Sequence, residues 1–221
     1  MRLIIAKDYA DVSRKAANII AAQVHLKPDC VLGLATGSSP IGTYKVLIEK
    51  YENGELDFSQ VKTVNLDEYV GLSKDHDQSY AYFMRKNLFD NIDIDLKNTN
   101  LPCGSAPDAQ KECDRYIALL ETMQQDVQVL GLGSNGHIGF NEPAPYLIGE
   151  THVAELNEVT ITANSRFFDS FADVPRKAIT MGIDSIMNAK NVVLLASGKE
   201  KHKAIAALLG GVYTTEIPVT L

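Results

Sequence analysis

One histidine and a nearby glutamate lie in a glycine-rich stretch of the sequence, GLGSNGHIGFNEP at residues 131–143. An imidazole titrates near neutral pH and a carboxylate can orient it, so His137 and Glu142 could together move protons. Residues 131–136 also match the G-x-G-x-x-G pattern of dinucleotide-binding loops. The HIGFNEP sequence that follows is a poor helix start, however, so we expect no nicotinamide cofactor. Two side chains are too few to hold zinc, so we expect no metal site.

A second stretch, TGSSP at residues 36–40, places small and hydroxyl residues where a strand is expected to pass into a helix. Gly37, Ser38 and Ser39 would let the backbone approach an anion and supply N–H and O–H donors at the positive end of a helix dipole. The lysine of a Walker loop is absent. An ordinary helix cap is the competing interpretation of this stretch.

Two cations and an acidic pair follow other expected strands. Arg166 and Lys201 are ordinary surface charges when taken singly, but together with the 36–40 loop they could bind a phosphate dianion.

Asp67 and Glu68 follow a third apolar run. Adjacent residues of an extended chain point to opposite sides, so at most one of this pair faces a given site. A carboxylate there could act as a general base, and a surface acidic pair is the alternative.

A sheet must bring these loops together. Apolar runs predict strands at residues 2–5, 30–35, 61–65, 128–132, 159–162 and 191–196. Amphipathic patterns predict a helix capped by Asp8 and helices at residues 40–52, 79–89, 108–123 and 200–209. Apolar strands that alternate with such helices indicate an α/β fold with a largely parallel sheet covered on both faces. Ligands of parallel sheets bind at the carboxyl ends of the strands, where all the loops above are expected.

Composition excludes several classes of partner. Lys and Arg number 21 against 28 Asp and Glu, a net charge of −7 with no basic run, so we expect no nucleic-acid partner. The three cysteines fit no zinc spacing, and no apolar run is long enough for a membrane span, so we expect reduced thiols and a cytoplasmic protein without a membrane partner. We expect one domain over residues 1–221. The final IPVTL reads as a strand or its lead-in, with a C-terminal segment missing beyond it.

Several motifs occur in one order along nearly the whole chain: TGSSPIGTYK, NLDEYVGL, QSYAYFMRKNLFD, GSNGHIGFNEPA and ANSRFFD, followed by the Lys201 loop. With them the sequence resembles the glucosamine-6-phosphate deaminase family, and GHIGFNEP together with LDEYVGL is highly specific. The resemblance implies an open, Rossmann-like α/β/α fold in three layers and no cofactor. It also implies a small-molecule substrate, an amino-sugar phosphate: glucosamine 6-phosphate and water become fructose 6-phosphate and ammonia.

The resemblance also implies a role for each matching residue. Asp67 would be the base that moves a proton between C2 and C1 of the opened sugar, and His137 the acid/base that opens the ring. Glu142 and Asn135 would hold His137. Many longer members have aspartate where this chain has Asn135, so we expect the imidazolium to be less stabilised here. The phosphate would be bound by Gly37, Ser38, Ser39, Arg166 and Lys201.

Longer hexameric members carry an allosteric pocket with basic residues where this chain has His152 and Ala154. We therefore expect no allosteric activation, hyperbolic kinetics, and a monomer or small homo-oligomer. Two other functions stay open. A 6-phosphogluconolactonase-like hydrolase has a related architecture and a Gly–His turn, although LDEYVGL and GFNEP favour the deaminase. A non-enzymatic sugar-phosphate-sensing domain would keep the phosphate loop without needing Asp67, His137 and Glu142 together.

Overall fold

A five-stranded sheet with only parallel pairs forms the centre of the fold. The computed structural model describes residues 1–158, 161–162, 165, 168 and 170–221. In spatial order the strands are β4 (Thr99–Asn100), β2 (Lys62–Asn65), β1 (Val31–Leu34), β5 (Val127–Leu130) and β8 (Val192–Leu194). The prediction of a mostly parallel sheet is confirmed.

A second sheet is antiparallel and has three strands. They are β3 (Asp67–Tyr69), β7 (Lys177–Thr180) and β6 (His152–Glu155), with β7 in the middle. No local pattern in the sequence predicts this sheet. Its first strand is separated from β2 by a single residue and opens with two acidic residues, a type that is depleted in strands.

Helices cover both faces of the parallel sheet, as predicted. They are α1 (Tyr9–Leu26), α2 (Ser38–Glu52), α3 (Tyr80–Asn87), α4 (Ala109–Thr122), α5 (Ile183–Met187) and α6 (His202–Leu209). Single 3₁₀ turns lie at Phe89–Asn91, Leu96–Asn98, Phe171–Asp173, Lys199–Lys201 and Pro218–Thr220.

Alternate residues of β1, together with Ala35 just after it, show the layering. Leu32 and Leu34 pack in one core with residues of α1, α2 and α3, whereas Val31 and Ala35 pack in another with residues of α4 and α6. No helix in the described ranges has the length and apolar character needed to cross a membrane.

Three of the predicted helix starts are fixed by side-chain caps. Asp8 accepts a hydrogen bond from the N–H of Asp11, Ser79 caps α3 through Tyr82 N–H, and Asp108 caps α4. Each cap satisfies a backbone donor that the helix itself leaves free. By contrast, α2 begins at Ser38, two residues before the predicted start.

The strand predicted at residues 2–5 is wrong. These residues form no regular structure, and Leu3 and Ile5 are exposed. The Ile5 carbonyl accepts a hydrogen bond from Lys15 Nζ rather than from a neighbouring strand. An apolar run with high strand propensity becomes a strand only where a partner pairs with its backbone.

Two further strand predictions are also wrong. In the 159–162 segment Ile161 and Thr162 are helical, and the Ile161 N–H donates to the Asn157 carbonyl four residues back; residues 159 and 160 lie outside the described residues. The terminal IPVTL forms a 3₁₀ turn instead of a strand. Pro218 lacks an N–H and has a fixed φ, which suit the first position of a helical turn.

The buried carboxylate of Asp126 connects three segments at the amino-terminal edge of the parallel sheet. Asp126 Oδ2 lies 2.8 Å from Lys27 Nζ and accepts from the Val31 N–H at 2.9 Å, while its Oδ1 lies 2.8 Å from Lys190 Nζ. Burial raises the pKa of Asp126, but the hydrogen bonds from Lys190, Lys27 and Val31 outweigh it and hold that pKa at about 2.

Replacing Asp126 with asparagine is expected to lower the free energy of unfolding at pH 7 by about 2 kcal/mol, because it removes hydrogen bonds from charged donors. The native pKa is below the ordinary 3.8, so this stabilisation is complete above about pH 4 and is lost as the pH falls towards 2. Urea unfolding at pH 7 and pH 3 should therefore show a smaller difference between wild type and Asp126→Asn at pH 3. The exposed Asp114→Asn serves as the control, and an equal difference at both pH values would contradict the assignment.

Candidate active site

The loops singled out in the sequence leave the carboxyl edge of the parallel sheet. The chain runs from β1 to β2 on one side of β1, whereas β5 lies on its other side. The crevice between the exits of β1 and β5 is therefore the point where open α/β sheets bind ligands. The 36–40 and 131–143 loops meet there, because a Cβ placed on Gly131 would lie 3.7 Å from both Cβ and Oγ of Ser39.

The 36–40 loop leads from β1 into α2. Gly37 is the N-cap of α2 and provides no side-chain cap, so the first N–H groups of this 15-residue helix have no side-chain acceptor there. The Tyr9 hydroxyl donates to the Ser38 carbonyl at 2.8 Å and accepts from the Gly42 N–H at 2.8 Å. Gly37 and Ser38 are exposed and Ser39 is half-buried. This arrangement can receive an anion.

The 131–143 loop follows β5 and holds the imidazole. His137 Nδ1 lies 3.4 Å from Glu142 Oε2. Asn135 connects the two residues: its Nδ2 donates to Glu142 Oε2 at 2.8 Å, and its Oδ1 accepts from the His137 N–H at 3.2 Å. The three residues predicted to act together are thus brought together. A carboxylate beside Nδ1 can stabilise a protonated ring.

Two glycines allow this loop to fold so tightly. Gly133 lies against the imidazole, since a Cβ there would be 2.4 Å from ring atoms of His137. Gly139 has a φ of +60°, and a Cβ there would lie 2.9 Å from Thr180 Oγ1 and 3.4 Å from Asp67 Oδ2. Only glycine fits both the positive φ and the close contact. The histidine loop therefore lies directly against the carboxyl of Asp67.

The structure separates the two members of the acidic pair. Asp67 is opposite Thr180 in the β3–β7 pairing, and its carboxyl faces Gly139. Glu68 faces the start of α3, where its carboxylate accepts from the N–H groups of Tyr80 and Ala81. The expectation that only one of them faces the site is confirmed, and that one is Asp67.

Asp67 is buried beside the histidine loop. Burial first, and the negative charge of Glu68 second, raise the pKa of Asp67 from 3.8 to about 8. A cluster of aromatic rings lies beside it: Tyr69 is 4.8 Å from Tyr80 and 5.8 Å from Phe140 between ring centroids. Burial, followed by neighbouring charges that include Asp67, also raises the pKa of Tyr80. Asp67 is therefore a shielded group that binds a proton strongly.

Of the two cations predicted to bind phosphate, the structure describes only Lys201. Lys201 is half-buried in the 3₁₀ turn after β8, beside an open cavity of about 710 Å³ that Ser197 and His202 also line. Because β8 neighbours β5, Lys201 is on the same edge of the sheet as the histidine loop. No hydrogen bond or ion pair joins it to the 36–40 loop among the described residues. Arg166 lies outside those residues.

Thr180 is a site residue that the sequence analysis missed. It is fully buried, and its Oγ1 accepts from the Phe140 N–H at 3.2 Å, which holds the histidine loop against β7. The KAIT run of β7 has strand propensity, but only its pairing with β3 shows that Thr180 lies beside Asp67. Within the described part of the chain, no three His, Cys, Asp or Glu residues are arranged to hold a metal ion.

Known proteins resemble this chain over its whole length. Proteins named glucosamine-6-phosphate deaminase from Clostridium perfringens and Lachnoclostridium phytofermentans are each 54% identical over 222 residues, with coverage of 100% of this chain and 92% and 94% of theirs. The solved structure of a monomeric glucosamine-6-phosphate deaminase is 44% identical with a TM-score of 0.96, and the match covers 100% of this chain and 92% of that one.

A more distant structure shares the fold. The 6-phosphogluconolactonase of Thermotoga maritima is 18% identical with a TM-score of 0.76, and the match covers 99% of this chain and 92% of that one. A family model described as glucosamine-6-phosphate isomerases/6-phosphogluconolactonase matches residues 6–221. The chain therefore belongs to the glucosamine-6-phosphate isomerase/6-phosphogluconolactonase family.

Proposed function

We propose that this protein is a glucosamine-6-phosphate deaminase, which converts glucosamine 6-phosphate and water to fructose 6-phosphate and ammonia. The observation that carries the proposal is the contact at Gly139, where the loop of His137 lies against the buried carboxyl of Asp67. The site thus offers one imidazole and one strongly basic carboxylate. The full-length similarity to the named deaminases supports the same activity.

The two groups divide the reaction between them. The imidazole of His137 takes the proton of the sugar O1 hydroxyl and gives it to the ring oxygen, which opens the ring; Glu142 and Asn135 hold His137 in place. Asp67 then removes the proton at C2 and returns it to C1, while a proton of the amine passes to O1, so that C1 becomes a hydroxymethyl group and the C2–N bond becomes an imine. Water adds to that imine, and ammonia leaves the resulting carbinolamine to give the ketose. The aromatic cluster keeps Asp67 away from bulk water.

Lactone hydrolysis is the second candidate, because the family includes 6-phosphogluconolactonases. Opening a lactone requires activation of a water molecule but no carbon-bound proton transfer. A buried carboxylate base is suited to the carbon-bound proton transfer, but a carboxylate base can also activate water, so Asp67 alone does not separate the two reactions. The similarity of the whole chain to the named deaminases therefore favours the deaminase.

The first test is turnover of glucosamine 6-phosphate, followed as ammonia and fructose 6-phosphate. Wild type should release both in equal amounts. Asp67→Asn should lower kcat at least about 100-fold, the usual contribution of a general base. Hydrolysis of 6-phosphogluconolactone without ammonia release would replace the proposal with the lactonase, and binding of glucosamine 6-phosphate without turnover of either compound would replace it with the sensing domain.

The second test concerns the phosphate, which we propose is bound by Gly37, Ser38, Ser39, Arg166 and Lys201. Lys201→Ala should raise KM for glucosamine 6-phosphate about tenfold or more while kcat changes less, because the phosphate does not react and its binding is uniform through the reaction. Lys203→Ala, an exposed lysine of α6, is the matched control. A fall in kcat with unchanged KM would show that Lys201 does not act as a phosphate ligand.

The third test concerns Asn135, whose amide donates to Glu142. Asn135→Asp replaces that donor with a second carboxylate beside His137, so it should stabilise the imidazolium and move the midpoint of the His137 NMR titration to higher pH. Asn135→Ala removes the hydrogen bond without adding charge and should not give this upward shift. An unchanged midpoint in Asn135→Asp would show that residue 135 does not act on the ring electrostatically.

We further propose that the chain is a single domain that works in the cytoplasm as a monomer or small homo-oligomer, without allosteric activation. Its three cysteines are free thiols, which supports a reducing compartment. The net charge of −7 supports a small-molecule ligand over a nucleic acid.

A further inference from the structure

Two adjacent carboxylates are buried on β3, although burying even one is costly. Asp67 is 6% exposed and Glu68 is 2% exposed. The proposed reaction uses only Asp67, because Glu68 points away from the crevice towards the start of α3. The second buried carboxylate therefore needs its own explanation.

Backbone donors hold Glu68 in one place. Its Oε1 accepts from the N–H groups of Tyr69 at 2.8 Å and Tyr80 at 2.9 Å, and its Oε2 accepts from the Ala81 N–H at 2.9 Å. Two of these donors belong to the first turn of α3, whose dipole favours a negative charge. Burial raises the pKa of Glu68, and these three donors oppose that rise because they favour the charged form.

Asp67 has the opposite environment. No hydrogen bond to its carboxyl is found among the described residues, and one peptide unit separates it from Glu68. Burial and the Glu68 charge both favour its protonated form. A buried pair in which only one member has hydrogen-bond donors places the negative charge on that member and the proton on the other.

We infer that Glu68 is a positioning residue that acts on Asp67 through its charge: fixed by three backbone N–H groups, it makes the Asp67 carboxylate a stronger base. The inference rests on the proposed function. The C2 proton of an amino sugar is weakly acidic, and a base that binds protons near the working pH removes such a proton more effectively than an ordinary carboxylate.

The first measurement needs no substrate. Asp67 binds a proton more strongly in the folded chain than in the unfolded one, so its ionisation costs stability as the pH rises from about 4 to about 8. Asp67→Asn should therefore be more stable than wild type, by a margin that grows over this range. In a Glu68→Gln background, the difference in free energy of unfolding between chains that carry Asp67→Asn and chains that keep Asp67 should be smaller. This stability margin should also stop growing at a lower pH.

A purely structural cap gives a different result. Losing the cap would lower the stability of Glu68→Gln at every pH, but the margin that Asp67→Asn produces would be the same in both backgrounds. That outcome would overturn the inference. Asp126→Asn, which changes a buried carboxylate at the opposite edge of the sheet, is the matched control and should leave the margin unchanged.

The second measurement is the pH dependence of kcat/KM for glucosamine 6-phosphate. In Glu68→Gln the ascending limb should move to lower pH by about one unit or more, and the rate at high pH should fall because the base is weaker. An unmoved limb with an unchanged stability margin would refute the role of Glu68. Absence of ammonia release by wild type would refute the proposed function instead, while the stability margin would still decide the inference.

Direct titration keeps the inference testable if Glu68→Gln does not fold. The ¹³C resonance of the Asp67 carboxyl in wild type, assigned with Asp67→Asn, should titrate near pH 8. The Glu68 carboxyl should ionise at a lower pH than the Asp67 carboxyl, and ionisation of Glu68 after Asp67, or an Asp67 midpoint near the ordinary 3.8, would overturn the inference.

Discussion

The contact at Gly139 is the constraint on which the rest of the site depends. The loop after β5 carries the His137 imidazole, and β3 carries the Asp67 carboxyl. The loop and the strand meet at Gly139, which has no side chain and so leaves room for Asp67 and Thr180. The positive φ and the missing side chain of this residue are both required. A bulkier residue would push the histidine loop away from β3 and enlarge the distance over which protons must move.

The two sheets contribute different things to this contact. The parallel sheet brings the exits of β1, β2, β5 and β8 to one edge, which is enough to gather the polar loops. The antiparallel sheet turns the chain just after β2, so that Asp67 lies inside the protein rather than at its surface. Burial makes Asp67 a strong base, and its ionisation makes the fold less stable at high pH. Stability and reactivity thus oppose each other at this one carboxyl.

The local features of the site could be predicted from the sequence, whereas the features set by non-local pairing could not. The chemistry of the site can be read from short stretches of sequence that contain glycines, hydroxyl residues, His137 and Glu142. The strands at the centre of the parallel sheet can be recognised because they are apolar. The pairing of β3 with β7 joins residues more than 100 positions apart, and no local pattern indicates it. For the same reason Thr180 was missed, and residues 2–5 were assigned to a strand although no partner strand lies beside them among the described residues.

Charge separation explains why an acidic site can receive an anionic sugar. Three carboxylates, Asp67, Glu68 and Glu142, lie at the exits of β2 and β5, and the protein as a whole is negative. In the proposed function the phosphate is bound at the start of α2 and near Lys201, where N–H groups and a cation offset its charge. Asn135 fits this arrangement, because it donates to Glu142 without adding a further negative charge to that side. The amide bonds to Glu142 and to the His137 backbone N–H, and the site avoids the repulsion that two adjacent carboxylates would impose on an incoming phosphate.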